Sequence, residues 1–181
     1  MRVGAYPGTF DPPTVAHVAI AEAARRQGGL DRLELVICES PLGKKDARVA
    51  PLEHRLELLA ALCRSRPWLG IAVNDSELIC DIAAGYDAVV MGADKWAQVV
   101  DPAWYGGSES RRDAAVARLP QVLLAPRGAD VPVDLPPGAV LLDLEADHAS
   151  VSSTAVRGGR VEWLAPEAAP RWTPAGGAGP A

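Results

Sequence analysis

Between Arg2 and His17 the chain changes character within a few residues, and that change limits the folds open to it. Residues 2–6 (RVGAY) suit a short buried strand. Pro7 and Gly8 end it, Pro12 and Pro13 stiffen the following loop, and Thr14 is placed to cap a helix starting at Val15. His17 then falls in the first turn of that helix. The amides of a first turn lack partners inside the helix, and the helix dipole favours an anion beside them. Strand, glycine-bearing loop and helix with a histidine at its mouth make a candidate phosphate cradle. The same residues also suit an ordinary strand–turn–helix corner with His17 as a capping residue.

The pattern recurs along the chain. Residues 15–27 are alanine-rich and helical, stopped by Gly28 and Gly29, and residues 33–38 (LELVIC) read as a strand. A polar loop over 39–50 carries Lys44 and Lys45. Residues 51–65 are helical, with an apolar stripe at Leu52, Leu56, Leu59 and Leu62. A short strand over 71–73 and a helix over 76–84 come next. Residues 87–91 (DAVVM) form a near-continuous apolar strand, as a sheet covered on both faces requires. Residues 95–100 are helical, 101–107 a loop with Trp104, 108–118 helical, and 121–124 and 140–144 strands. A last helix starts near Thr154. This alternation predicts an α/β fold, a Rossmann-like doubly wound parallel sheet of about five strands. Residues 1–164 are expected to form one domain, and 165–181, rich in Pro, Ala and Gly, a disordered tail.

Composition excludes several classes of function. Hydrophobic residues are 49% of the chain, enough for a core, but no apolar run is long enough to span a membrane. The N-terminal apolar stretch is short and runs at once into Pro and Asp, unlike a signal peptide, so a cytoplasmic location without a membrane partner is expected. The net charge of −5, with no basic block interleaved with aromatics, argues against a nucleic-acid partner. Cys38, Cys63 and Cys80 are widely spaced and odd in number, which reads as reduced, mostly buried thiols. Association into a homo-oligomer is left open.

In an open parallel sheet a ligand sits beyond the carboxyl ends of the strands, near the switch point. The loop from Gly8 to His17 leaves such an end, and three stretches are expected to converge on it. Ser150 to Arg157 sets hydroxyls and then an arginine across a helix start, which suits a polyphosphate and equally a plain serine cap. Lys44-Lys45 offers either a reaching cation or a solvated charge pair. Gly92-Ala93-Asp94-Lys95-Trp96 follows an apolar strand. There Gly92 lets a ligand approach the backbone, and Asp94 can accept from a ribose hydroxyl or help cap the next helix. Trp96 and Trp104 flank this loop, and an indole is a stacking face for a flat ring or an ordinary core residue. His54 reads as a surface residue, and His148 as a candidate for the wall of the site.

The string GTFDPPTVAH resembles the signature of the nucleotidyltransferases that carry a His-x-x-His or Thr-x-Gly-His box, the cytidylyltransferase-like superfamily. The box here is Thr14-Val15-Ala16-His17, with threonine at the first place and Ala16 where glycine is usual. Residues 151–157 resemble the second signature of these enzymes, Ile-Ser-Ser-Thr-x-x-Arg, with Val151 replacing the isoleucine. The Gly92-Ala93-Asp94 turn and the Glu53-His54-Arg55-Leu56 helix are similar to those of nicotinate- and nicotinamide-mononucleotide adenylyltransferases of NAD biosynthesis.

The resemblance implies transfer of AMP from ATP to a small phosphorylated acceptor, with release of pyrophosphate. It implies magnesium (Mg2+) carried by the substrate phosphates, with no protein metal ligand. It gives Gly8, Thr9, Phe10, Gly92, Asp94, Ser152, Ser153, Thr154 and Arg157 to the nucleotide. His17 donates to the α-phosphate, Thr14 stands in for the first box residue, and Asp11 fixes the loop. Lys44, Lys45, Trp96 and Trp104 go to the acceptor, Lys44 and Arg157 also to the reacting phosphates. Thr14 also favours the pantetheine-phosphate adenylyltransferases. Ala16 and a C-terminus that looks shortened favour a non-catalytic nucleotide-binding module.

Overall fold

The computed structural model describes residues 1–38, 49–126, 135–148 and 150–173. Six parallel strands form one sheet in the order β3-β2-β1-β4-β5-β6. They are β1 (Val3–Gly8), β2 (Arg32–Ile37), β3 (Leu69–Val73), β4 (Ala88–Gly92), β5 (Gln121–Ala125) and β6 (Val140–Leu141). The helices are α1 (Val15–Gln27), α2 (Leu52–Ser65), α3 (Ile79–Ile82), α4 (Ala93–Val100), α5 (Glu109–Ala117) and α6 (Ser153–Arg157). The sheet is therefore doubly wound, as the alternation predicts, with six strands rather than about five. The edge strand β6 is only two residues long and is fixed by the register Leu123↔Val140 and Leu124↔Leu141.

Strand alternation divides the core. Leu33, Leu35, Ile37, Val90 and Leu123 face one layer, shared with alanines of α1 and leucines of α2. Val89, Met91, Val122 and Leu124 face the other, shared with Trp96 and Val99 of α4. With both faces covered, the strands read as continuous apolar runs rather than as an alternating pattern. Among the described residues no helix is long and apolar enough to cross a membrane.

Three elements depart from the sequence reading. Helix α3 is one turn, not the expected 76–84, because Asn74 Oδ1 accepts from the Ser76 amide at 2.8 Å and holds the preceding residues in a side-chain turn. On α2 the fully buried stripe is Arg55, Leu58, Leu59 and Leu62, while Leu52 and Leu56 are only half-buried. The tail does not start at Ala165. Ala165 and Ala168 are fully buried and Trp172 packs on the core, so residues 165–173 belong to the domain. Residues 174–181 lie outside the described residues.

Candidate active site

The order reverses between β1 and β4, and the loops leaving the carboxyl ends of those two strands open onto a cavity of about 740 Å³. Its walls include Thr9, Phe10, Thr14 and His17 from the first loop, Gly92 and Asp94 from the end of β4, and Ser152, Ser153, Thr154 and Arg157 from α6. Three stretches far apart in sequence thus meet at the switch point.

Thr14 is the N-cap of α1 and His17 its third helical residue, and the two form a reciprocal capping box. The Thr14 amide donates to His17 Nδ1 at 3.0 Å, and Thr14 Oγ1 lies 2.8 Å from the same nitrogen. A backbone N–H can only donate, so Nδ1 carries the lone pair and the proton of the neutral ring sits on Nε2. The ring is held edge-on by Phe10, centroid to centroid 5.1 Å, and lies 6.2 Å from Tyr6. His17 is thereby a preset Nε2–H donor at the mouth of the cavity.

Phe10 adopts φ 48°. A non-glycine residue in that region costs about 1–3 kcal/mol, offset by full burial of its ring against Tyr6 and His17, which is worth about 1.5–3 kcal/mol. Gly8 leaves the space for that ring: a Cβ there would stand 2.6 Å from Phe10 Cζ and 2.8 Å from Cε2. Gly8 therefore shapes the loop from behind and is not part of the cavity wall. Replacing Gly8 by alanine is expected to lower stability by about 1–3 kcal/mol through overpacking, read as a drop in Tm.

The loop continues through a cis Asp11–Pro12 bond. Asp11 is buried; its Oδ2 accepts from the Ala50 amide at 3.2 Å and lies 3.6 Å from Arg157 Nη1. Arg157 also donates to the Asp11 carbonyl and, from Nη2, to Thr154 Oγ1 at 3.3 Å. Ser153 Oγ donates to the Pro12 carbonyl at 2.7 Å, and Ser152 caps α6 by accepting from the Ala155 amide at 3.2 Å. Asp11 thus fixes the loop, and Ser153 and Arg157 have a double place, on the cavity wall and on the loop.

The Glu53-His54-Arg55-Leu56 motif gives Arg55 no role, and the structure shows one. Its guanidinium is buried and, among the described residues, donates to the carbonyls of Ala50 at 2.9 Å, Cys38 at 3.1 Å and Thr9 at 3.4 Å. Cys38 and Ala50 flank the basic loop, and Thr9 belongs to the loop that lines the cavity. The signal was available: Arg55 shares the helical spacing of Leu58, Leu59 and Leu62, and a charge in an apolar stripe has to be paired.

The remaining expectations are placed as follows. Gly92 and Asp94 border the cavity, Gly92 as the residue that caps α4 and Asp94 in its first turn. Trp96 is corrected: it is 2% exposed within the core shared with Met91 and Leu124, so its ring has no open face for an acceptor. Trp104 is half-exposed on a one-turn helix over Pro102–Tyr105, beside a separate shallow depression lined also by Glu77, Lys95 and Tyr105. His148 borders the main cavity with Ile20 and Leu144, whereas His54 is half-buried with its Nε2 out of contact with solvent. Lys44 and Lys45 lie outside the described residues.

Among the described residues no activated nucleophile adjoins the Gly8 to His17 loop. Burial raises the Tyr6 phenol well above its ordinary range, and burial followed by the Asp75 charge raises the Cys38 thiol. Among the described residues no group of three His, Cys, Asp or Glu side chains could hold a metal ion. The cavity thus offers a fixed imidazole donor, hydroxyls and a guanidinium, a set that binds phosphate oxygens and stabilises charge on them.

The sequence pattern of the family described as cytidylyltransferase-like matches residues 5–159. A protein of Dehalococcoides mccartyi named "Probable nicotinate-nucleotide adenylyltransferase" is 26% identical over 93% of this chain and 92% of its own length. A protein of the same name from Exiguobacterium sibiricum is 28% identical over 92% of this chain and 93% of its own length. Among solved structures, the Plasmodium falciparum nicotinic acid mononucleotide adenylyltransferase complexed with NaAD superposes with a TM-score of 0.65 over 92% of each chain. At 15% identity that last likeness is one of fold.

Proposed function

The chain belongs to the cytidylyltransferase-like family, and on that premise we propose that it transfers the adenylyl group of ATP to the phosphate of nicotinate mononucleotide, releasing pyrophosphate. The observation that carries the chemistry is the His17 Nε2–H, preset by the Thr14 amide, on the wall of the switch-point cavity that Arg157 also lines. The acceptor follows from likeness to relatives that bear this name over more than nine-tenths of the chain.

The reaction needs no general base. The second pKa of a phosphate monoester is about 6, so the acceptor is already a dianionic nucleophile near neutrality. The enzyme has to hold acceptor oxygen, α-phosphorus and leaving pyrophosphate in line and to stabilise the charge spread over the α-phosphoryl oxygens. His17 donates to those oxygens. The amides of Thr9 and Phe10 and the first turn of α1 receive the nucleotide phosphates, and Asp94 accepts from the ribose. Ser152, Ser153, Thr154 and Arg157 hold the β- and γ-phosphates. Lys44 and Lys45 serve the acceptor side.

Magnesium fits this site as a companion of the triphosphate. The wall sets hydroxyls, an imidazole and a guanidinium beside the separate carboxylates of Asp94 and Glu145, and the loop carboxylate Asp11 is already engaged by Arg157 and the Ala50 amide. Held through phosphate oxygens, the ion would supply charge neutralisation on the leaving pyrophosphate. Cytoplasmic location and a place in NAD biosynthesis belong to the same reading.

The test is pyrophosphate release from ATP with nicotinate mononucleotide, nicotinamide mononucleotide and phosphopantetheine offered in parallel. Nicotinate mononucleotide is expected to give the highest kcat/KM; turnover confined to phosphopantetheine, or to none of the three, contradicts the proposal. Replacing Arg157 by alanine removes a charged donor worth about 1.5–3 kcal/mol, so KM for ATP is expected to rise about tenfold or more, with a smaller change in kcat.

A further inference from the structure

We infer that Arg66 is a positioning residue for the loop that carries His17, acting through the chain segment 164–168. Pro12 and Pro13 have no amide to donate, so the carbonyls of this stretch are its main backbone handles. All three successive carbonyls from Asp11 to Pro13 are taken by the C-terminal part of the chain. Arg157 donates to that of Asp11, Ser153 Oγ to that of Pro12 at 2.7 Å, and the Ala165 amide to that of Pro13 at 3.1 Å. Leu164 pairs with Thr14 in an antiparallel bridge, so the segment reaches the cap residue of α1 itself.

The segment is seated and then fastened. Leu164, Ala165 and Ala168 are buried. Glu167 Oε1 accepts from Arg66 Nη1 at 2.6 Å, and Arg66 Nε donates to Glu22 Oε1 at 3.1 Å. Glu22 lies on α1, the helix whose first turn holds His17. The contacts close a ring: α1 to Arg66, Arg66 to Glu167, the segment to Pro13 and Thr14, and back into α1. One guanidinium serves two carboxylates from different directions, which a planar fork of donors allows and a lysine ammonium does not reproduce. The Arg66 side chain is only 17% exposed, so this pairing is less screened than a surface ion pair. Arg66 does not border the cavity, and its influence on the loop runs through the segment.

The test compares Arg66→Met, Arg66→Lys and Glu167→Gln with the parent protein by amide hydrogen exchange and steady-state kinetics. In Arg66→Met and Glu167→Gln the Ala165 and Thr14 amides are expected to lose protection about tenfold, while the Val89 amide in the central strand keeps its own. Arg66→Lys is expected to restore part of it. The kinetic arm rests on the proposed adenylyl transfer: kcat falls about tenfold with KM for ATP within about twofold. Unchanged protection at Ala165, or loss in step with Val89, overturns the inference. So does loosening of both amides with kcat unaltered. Exchange is read without turnover, so an enzyme silent toward every acceptor would remove the proposed reaction while the amides still decide the role of the segment.

Discussion

Replacing His17 by alanine is expected to lower turnover about 100-fold or more, the scale of losing one donor aimed at developing charge. The two nitrogens of the ring have different tasks. Nδ1 is occupied as an acceptor by the Thr14 amide at 3.0 Å, which commits the proton to Nε2. Phe10 and Tyr6 restrict the ring's tilt, so the donor is in place before substrate arrives. Stability should change little, because what is lost structurally is one half of a capping box, about 1 kcal/mol. A variant that melts near the parent temperature yet turns over at under one hundredth of its rate fits this account. Near-normal turnover would remove His17 from the chemistry.

Arg55→Met has the larger structural effect. It strips a charged donor from the carbonyls of Ala50, Cys38 and Thr9 in one step and leaves them buried. Each unsatisfied buried group costs about 1–3 kcal/mol, partly relieved by relaxation, so a loss of about 2–4 kcal/mol is expected. For a chain of this size that corresponds to a fall in Tm of about 10 °C. Activity should fall as well, since Thr9 lines the cavity and the two flanks of the basic loop come free together. Arg55→Lys should recover only part of the loss, because three donors on one nitrogen cannot reproduce the fork. An unchanged melting temperature in Arg55→Met, measured by calorimetry, would contradict this role.

The fold was legible because its evidence is local. Apolar strands, glycine stops and the Thr14 cap each act within a few residues, and α1 runs over the expected Val15–Gln27. The cavity wall was legible as far as its residues are clustered in two short strings. What escaped depends on distant contacts. Trp96 reads equally as a stacking face or a core residue until β4 and β5 are seen to close over it. Arg55 carries a visible anomaly, a charge in an apolar stripe, but its described acceptors lie at the two ends of one loop and in another, Thr9 being 46 residues away. The segment after Leu164 has the composition of a tail, rich in small residues. Its alanines pack because they are small, and its two anchors, Pro13 and Arg66, lie far off in sequence. Composition reports how much a segment can bury, not whether a neighbour has kept a place for it.

The most direct measurement of the central claim is the fate of the α-phosphorus. The protein is incubated with ATP labelled at that atom, magnesium and nicotinate mononucleotide, and the products are separated. The account predicts label in a dinucleotide formed in equal amount with unlabelled pyrophosphate, a yield that collapses in His17→Ala. Label that stays in ATP, or appears only in free AMP or ADP, would contradict it.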